Sequence, residues 1–190
     1  ESALAAKVPV QEVFAAPDAD EQLVSQAEAA GARVYHVAED VLGKATRTVT
    51  PQPLAAVASF HDVPLSAALG TMAQSALTLV LVGVNDPGNL GTLARSAQAV
   101  GAGALICCDD TVDPYNPKVV RASAGALFSL AVVRRAVGRQ ALTTLRAAGA
   151  SCVGTVVRDG VPYDQVDLTR PVALVLGSEA HGLAEDTQGL

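Results

Sequence analysis

The sequence predicts an α/β protein in which a domain built on a mostly parallel sheet follows a smaller α/β domain. Three observations predict it. From residue 77 onward, short unbroken apolar runs such as Leu77-Thr78-Leu79-Val80-Leu81-Val82 alternate with helical stretches, the pattern of strands buried on both faces of a parallel sheet. Before residue 60, strand-like runs over 8–14, 33–37 and 54–58 alternate with two short helical stretches, as in a separate small α/β unit. Between the two, residues 61–76 carry Pro64 and Gly70 and no sustained period, which marks a linker. The expected organisation is therefore residues 1–60, a linker over 61–76, and a larger domain over 77–190.

In the first domain, residues 8–14 alternate as a half-buried strand. Residues 21–30 read as a helix closed by Gly31, which suits the left-handed residue after a C-cap. Residues 33–37 form a second strand and 39–45 a second helix. Thr50-Pro51-Gln52-Pro53 interrupts the pattern before a third strand over 54–58. In the larger domain the strands are 77–84, 104–108, 130–133, 151–157 and 172–176, and the helices are 90–100, 117–122 and 139–148. Helix 90–100 is bounded by Asn89 as N-cap and by Gly101. At about 100° per residue, Leu90, Leu93, Ala94, Ala97 and Val100 share one apolar stripe, and Arg95 lies nearly opposite it.

The net charge of −6 argues against general affinity for nucleic acid. Residues 1–60 hold eight acids against four bases, whereas residues 61–190 hold eleven against nine, so any RNA site must be a local patch. No apolar run is long enough to span a bilayer and no basic leader precedes an apolar stretch, which points to a cytoplasmic protein with no membrane partner. Position 1 is not Met, so the natural chain is expected to begin earlier. Cys107, Cys108 and Cys152 are odd in number and lack metal-ligand spacing. They are expected to be buried, reduced thiols, with no metal bound.

Two segments carry the chemistry. Asn85-Asp86-Pro87-Gly88-Asn89-Leu90-Gly91-Thr92-Leu93-Ala94-Arg95 runs from a strand end into a helix, and Leu174-Val175-Leu176-Gly177-Ser178-Glu179-Ala180-His181-Gly182-Leu183 runs from a strand into a turn with an acid between two glycines. The helix N-terminus in the first presents free amides near the carboxyl ends of strands, where α/β domains bind ligands. Gly88 and Gly91 would let a ligand or partner chain approach closely. Arg95 is either a solvated helix residue or part of that site. The turn from Gly177 to Gly182 can offer bare backbone groups to an adenine or ribose, and His181 reads as a surface histidine. Lys118 and Arg121 stand one helical turn apart and either contact phosphates together or form a solvated face.

In this order the two segments resemble the first two motifs of the SpoU/TrmH family, RNA ribose 2′-O-methyltransferases of the α/β-knot (SPOUT) superfamily that use S-adenosyl-L-methionine. Asn89, Gly91 and Arg95 match the first motif, and Gly177 and Glu179 match the second. The resemblance implies a knotted C-terminal domain with Arg95 and Asn89 as catalytic residues and Glu179 supporting them. It implies a cofactor pocket lined by Leu176, Gly177, Gly182 and Thr155. The stretch from Pro114 to Gly125 is also similar to the family and supplies Lys118 and Arg121 as RNA contacts. Val13-Phe14 and Thr50-Pro51-Gln52 look like the family's small RNA-binding domain, with Lys44 and Arg47 as its candidate contacts. The implied function is 2′-O-methylation of structured RNA, ribosomal RNA in preference to transfer RNA, by a homodimer. Arg95 would act either as the base on the ribose hydroxyl or as a clamp on the adjacent phosphate. The family's third motif does not occur before Leu190, so the chain is expected to continue. Two other readings stand: an RNA-binding relative without turnover, and a nucleotide-dependent Rossmann-type enzyme, for which Gly88-Asn89-Leu90-Gly91 lacks the required glycine spacing.

Overall fold

The computed structural model describes residues 1–46, 50–184 and 187. The chain divides into two units, Glu1–His61 and Asp62–Leu190.

In the first unit, β1 (Val10–Ala15) is the centre of a three-stranded sheet. β2 (Arg33–His36) pairs with it in parallel and β3 (Leu54–Ala58) antiparallel. Among the described residues of this unit, α1 (Ser2–Ala5), α2 (Glu21–Ala29) and α3 (Glu39–Thr46) accompany the sheet. α2 starts where it does because the Asp20 carboxylate accepts the amides of Gln22 and Leu23. Its Ala27 is buried with Val13 and Ala32 in a small core. Phe14 and Tyr35, directly opposite each other on neighbouring strands, stack with ring centroids 5.3 Å apart.

The second unit runs α4 (Leu65–Gly70), β4 (Leu77–Leu81), α5 (Pro87–Ala99), β5 (Ala104–Cys108), α6 (Pro117–Ala122), β6 (Ala131–Ala136), α7 (Gly138–Ala147), β7 (Ser151–Gly154) and β8 (Val172–Leu176). Its five strands are all parallel, in the order β6-β5-β4-β8-β7. Alternate residues face two cores. Leu79, Leu81, Leu105, Cys107 and Val132 pack with Leu90, Ala94 and Ala97 of α5 and Val119 of α6. Val80, Ile106, Cys108, Val133 and Val175 pack with Ala68 of α4 and Ala141, Leu142 and Leu145 of α7. Cover on both faces is why these strands read as unbroken apolar runs. Because β8 lies between β4 and β7, the strand order reverses beside β4. The carboxyl ends of β4 and β8 therefore sit side by side, with Leu81 opposite Leu176, at the kind of switch point where open α/β sheets bind ligands.

Several local expectations differ from the structure. Residues 61–76 are not bare linker: they carry α4 and a 3-10 turn at Thr71–Ala73, and Ala68 is buried in the second core. Pro64 does not interrupt this segment but stands at the N-cap of α4, a position that needs no donor. α5 begins at Pro87, and its N-cap is Asp86 rather than Asn89. The Asp86 carboxylate accepts the Asn89 amide at 2.8 Å, and the fixed φ of Pro87 suits the first helical turn. Val100 leaves the apolar stripe and is 66% exposed, because it is the C-cap, past the last packed turn. β4 ends at Leu81 and β7 at Gly154, both short of the apolar runs that suggested them. Cys107 and Cys108 are buried, and burial pushes both thiols up to about 12. Cys152 is only half-buried.

Candidate active site

The two singled-out segments meet through one carboxylate. β8 and the chain leaving β4 are still paired where the Val82 amide donates to the Leu176 carbonyl at 2.9 Å. Beyond that point, Glu179 accepts three N–H groups from the first segment: the Asn85 amide at 3.1 Å, the Asp86 amide at 3.3 Å and Asn89 Nδ2 at 3.0 Å. The Asn89 side-chain bond, with the backbone amides behind it, pulls the Glu179 carboxyl down to about 2. A negative charge at the start of α5 also complements the helix dipole. The latch has a testable pH signature. A depressed folded-state value means that its stabilisation is complete above the ordinary carboxyl value of 4.5 and fades as pH falls through about 2. Glu179→Gln should therefore lower the unfolding temperature at neutral pH, and the gap to wild type should narrow as thermal scans move from pH 5 toward about pH 2. A gap independent of pH would show that the charge does not matter to the latch.

The turn after β8 closes on itself. Ser178 and Gly182 form an antiparallel bridge, with the Ser178 amide donating to the Gly182 carbonyl at 3.0 Å and the Gly182 amide to the Ser178 carbonyl at 2.8 Å. A Cβ on Gly177 would run into the Gly182 carbonyl group and the Leu183 amide. Glycine is thus demanded at 177 by the turn's own backbone. Gly182 has φ +67°, which glycine adopts without strain. Leu176 packs against the first core. Thr155 follows β7, its amide donating to the Val175 carbonyl at 3.0 Å.

Beside this turn lies a small cavity lined by Leu142, Cys152, Gly154, Val156, Val175, Leu183 and Thr187. A Cβ on Gly154 would stand 2.9 Å from the Leu183 side chain, so the backbone forms the floor there. Among the described residues the lining is apolar apart from one thiol, one hydroxyl and main-chain groups. Such a slot fits the nucleoside half of S-adenosylmethionine, whose ring offers an apolar face and hydrogen-bonding edges.

Arg95 lies elsewhere on α5. It is exposed, in a shallow groove with Thr92, Ser96, Gln98, Ala99, Ser123 and Ala124, and has no ion-pair or hydrogen-bond partner among the described residues. The close approach expected at Gly91 is taken up within the chain, because a Cβ there would collide with Ala122 and Ser123. The residue lets α6 pack on α5 and does not open a path for a ligand or partner. At Gly88 the nearest atom to an added Cβ is the capping Asp86 Oδ1, at 2.9 Å.

Lys118 and Arg121 are both exposed on α6, whose N-cap Asn116 accepts the Lys118 amide at 2.9 Å. Lys44, in the first unit, pairs with Asp40 one turn earlier, so part of its charge is already offset. Arg47 lies outside the described residues. His181 is exposed on the β8 turn. The structure thus gathers Asn89, Glu179, Gly177 and Gly182 at one place, with Thr155 on the neighbouring strand end. It leaves Arg95, Lys118 and Arg121 on the α5–α6 surface. Asn85 and Asp86 belong to the latch and were missed as site residues, although Asp followed by Pro is a legible helix-start signal. Among the described residues no helix is long and apolar enough to cross a membrane, and no group of three or more His, Cys, Asp or Glu could hold a metal.

Known proteins share both units. Residues 1–64 match the family model described as RNA 2′-O ribose methyltransferase substrate binding. A 23S rRNA (guanosine(2553)-2′-O)-methyltransferase of Bacillus subtilis, RlmP, is 35% identical over 153 residues, covering 80% of this chain and 58% of its own length. An uncharacterized tRNA/rRNA methyltransferase of Synechocystis is 33% identical, with 79% of this chain and 53% of that protein covered. The chain thus spans little more than half the length of these curated relatives. A crystal structure of an AdoMet-bound rRNA methyltransferase from Sinorhizobium meliloti superposes with a TM-score of 0.86 and 31% identity, covering 98% of this chain and 70% of that one. The SpoU methyltransferase AviRb from Streptomyces viridochromogenes also gives 0.86, at 26% identity, covering 100% and 72%. Residues 76–189, more than half the chain, match the model of the SpoU rRNA Methylase family, and the chain belongs to that family.

Proposed function

We propose that this protein transfers a methyl group from S-adenosylmethionine to a ribose 2′-hydroxyl of ribosomal RNA, acting in the cytoplasm as a homodimer. The observation that carries the reading is the Glu179 latch. It joins Asn89 and the turn from Gly177 to Gly182 at neighbouring strand ends, beside a slot suited to a nucleoside. The relatives named as 23S rRNA 2′-O-methyltransferases support the substrate class, and the similarity to solved SpoU structures supports extending the reading to the α/β knot.

The cofactor, when bound, supplies an activated methyl group; the protein's residues bind and orient. The slot beside the β8 turn, with Gly154 and Val175 in its lining, takes the nucleoside, and Leu176, Gly177, Gly182 and Thr155 shape the strand ends and the turn next to it. Asn89 and Glu179 fix the start of α5. Arg95, whose planar guanidinium offers two parallel donors, is the clamp on the phosphate beside the target ribose in this reading. Its open groove, with hydroxyl groups from Thr92 and Ser96 alongside, suits such a partner. Lys118 and Arg121 extend the same surface onto α6, and Lys44 and Arg47 are the candidate contacts of the first unit. Lys118→Ala and Arg121→Ala should each weaken RNA binding and reduce its dependence on log salt by up to about one. Titrations at several salt concentrations decide this: an unchanged slope in both variants takes α6 off the RNA. The function as a whole is tested by mass-spectrometric mapping of ribose methylation in cells with and without the gene. Loss of a 2′-O-methyl mark from ribosomal RNA is expected, and an unaltered map overturns the proposal.

A further inference from the structure

α6 carries two exposed cations on six residues, and Val119 and the close approach at Gly91 pack its body against the first core and α5. The loop that leads into it is held in addition by a cluster around Arg134. This residue lies in β6, at one edge of the second unit's sheet. Its Nη1 is 3.5 Å from Asp113 Oδ2, its Nε is 3.7 Å from Asp62 Oδ2, and its guanidinium sits 5.6 Å from the centroid of the Tyr115 ring. Asp113 in turn accepts the Tyr115 amide at 2.9 Å and, through its carbonyl, the Asn116 amide at 2.9 Å. Asn116 is the residue that caps α6. On the other side, the Val63 amide donates to the Val132 carbonyl at 2.8 Å, laying the chain next to Asp62 along β6.

The strand is deformed at this point. Register with β5 slips between Ile106 and Cys108, so β6 carries one extra residue, and Arg135 takes φ +57°. A bulge re-aims the side chains around it, and a non-glycine residue in the left-handed region persists only where its surroundings over-determine it. Arg134, with its two aspartates and the tyrosine ring, is the residue directly before that position.

We infer that Arg134 is a positioning residue for RNA: it clamps the loop that starts α6 to the sheet edge and so sets where Lys118 and Arg121 present their charges. The inference rests on the proposed function and names no contact between Arg134 and substrate. Its signature is a split between substrate affinity and turnover. In the full-length protein, Arg134→Met keeps the length of the stem and removes both ion pairs. It should raise the KM for RNA about tenfold while kcat and the affinity for S-adenosylhomocysteine stay within about twofold. Arg134→Lys, which keeps the charge, should recover part of the loss. Asp113→Asn, which still accepts the Tyr115 amide, should raise KM in the same direction, and the double variant Arg134→Met with Asp113→Asn should be no worse than the first alone. Should Arg134→Met fail to fold, Asp113→Asn carries the test. An unchanged KM overturns the inference. So does a parallel loss of kcat, cofactor affinity and melting temperature, the mark of a merely structural residue. A wild-type protein that neither binds nor methylates RNA removes the proposed function and this inference with it; wild-type methylation with variants of unchanged KM removes only the inference.

Discussion

Replacing Arg95 with Ala should lower kcat for methyl transfer by roughly a hundredfold to a thousandfold, the cost of losing a group that orients or stabilises at the reacting centre. The fold should survive, because the side chain is exposed on α5 and the apolar residues that anchor the helix, Leu90, Ala94 and Ala97, are untouched. Arg95→Lys should fail almost as badly. A lysine keeps the charge but presents a single point donor where the guanidinium offers two parallel ones to a phosphate. Single-turnover methylation with tritiated cofactor, alongside a circular dichroism spectrum, reads both halves of the expectation. Wild-type turnover in either variant takes Arg95 out of the mechanism. Full activity in the lysine variant alone would replace the bidentate clamp with a simple charge.

Gly177→Val should abolish binding of S-adenosylhomocysteine in calorimetry, and the structure changes the reason. A valine there meets the Gly182 carbonyl group and the Leu183 amide before it meets any ligand. The bridge between Ser178 and Gly182 must open, Leu183 must shift from its buried position in the second core, and Glu179 is carried away from Asn85, Asp86 and Asn89. Overpacking of this kind costs roughly 1–3 kcal/mol, so a lower melting temperature should accompany the lost affinity. Unchanged cofactor affinity with a lower melting temperature would mean that the turn after β8 is structural and the cofactor site lies elsewhere.

Much of this was legible in residue order. β3, β5, α6 and β8 fall on the boundaries expected of them, because each is bounded by a strong local signal. Pro117 opens α6 and Gly177 stops β8, while Ala104–Cys108 is flanked by Gly103 and Asp109 and Val172–Leu176 by Pro171 and Gly177. Where the local signal is weak, the reading drifts. Leu65, Ala68 and Leu69 are too few to show a helical period, so α4 went unseen until the second core buried Ala68. Asn89 looks like a cap in isolation, but Pro87 two residues earlier starts the helix and hands the cap to Asp86.

By itself, then, the sequence determined the α/β class, the parallel sheet and the two segments that make this a SpoU protein, since all of these are written in local periodicity and short motifs. Only the tertiary structure decided what those segments do to each other. Glu179 and Asn89 are 90 positions apart, and nothing in either neighbourhood says that β8 will lie next to β4. Gly91 and Gly177 illustrate the same limit. Both read as openings for a ligand, and both are filled by the chain's own backbone, α6 at one and the closing turn at the other. A glycine announces that something must come close. What comes close is a long-range contact, and it is settled by the packing of strands and helices that the local sequence does not encode.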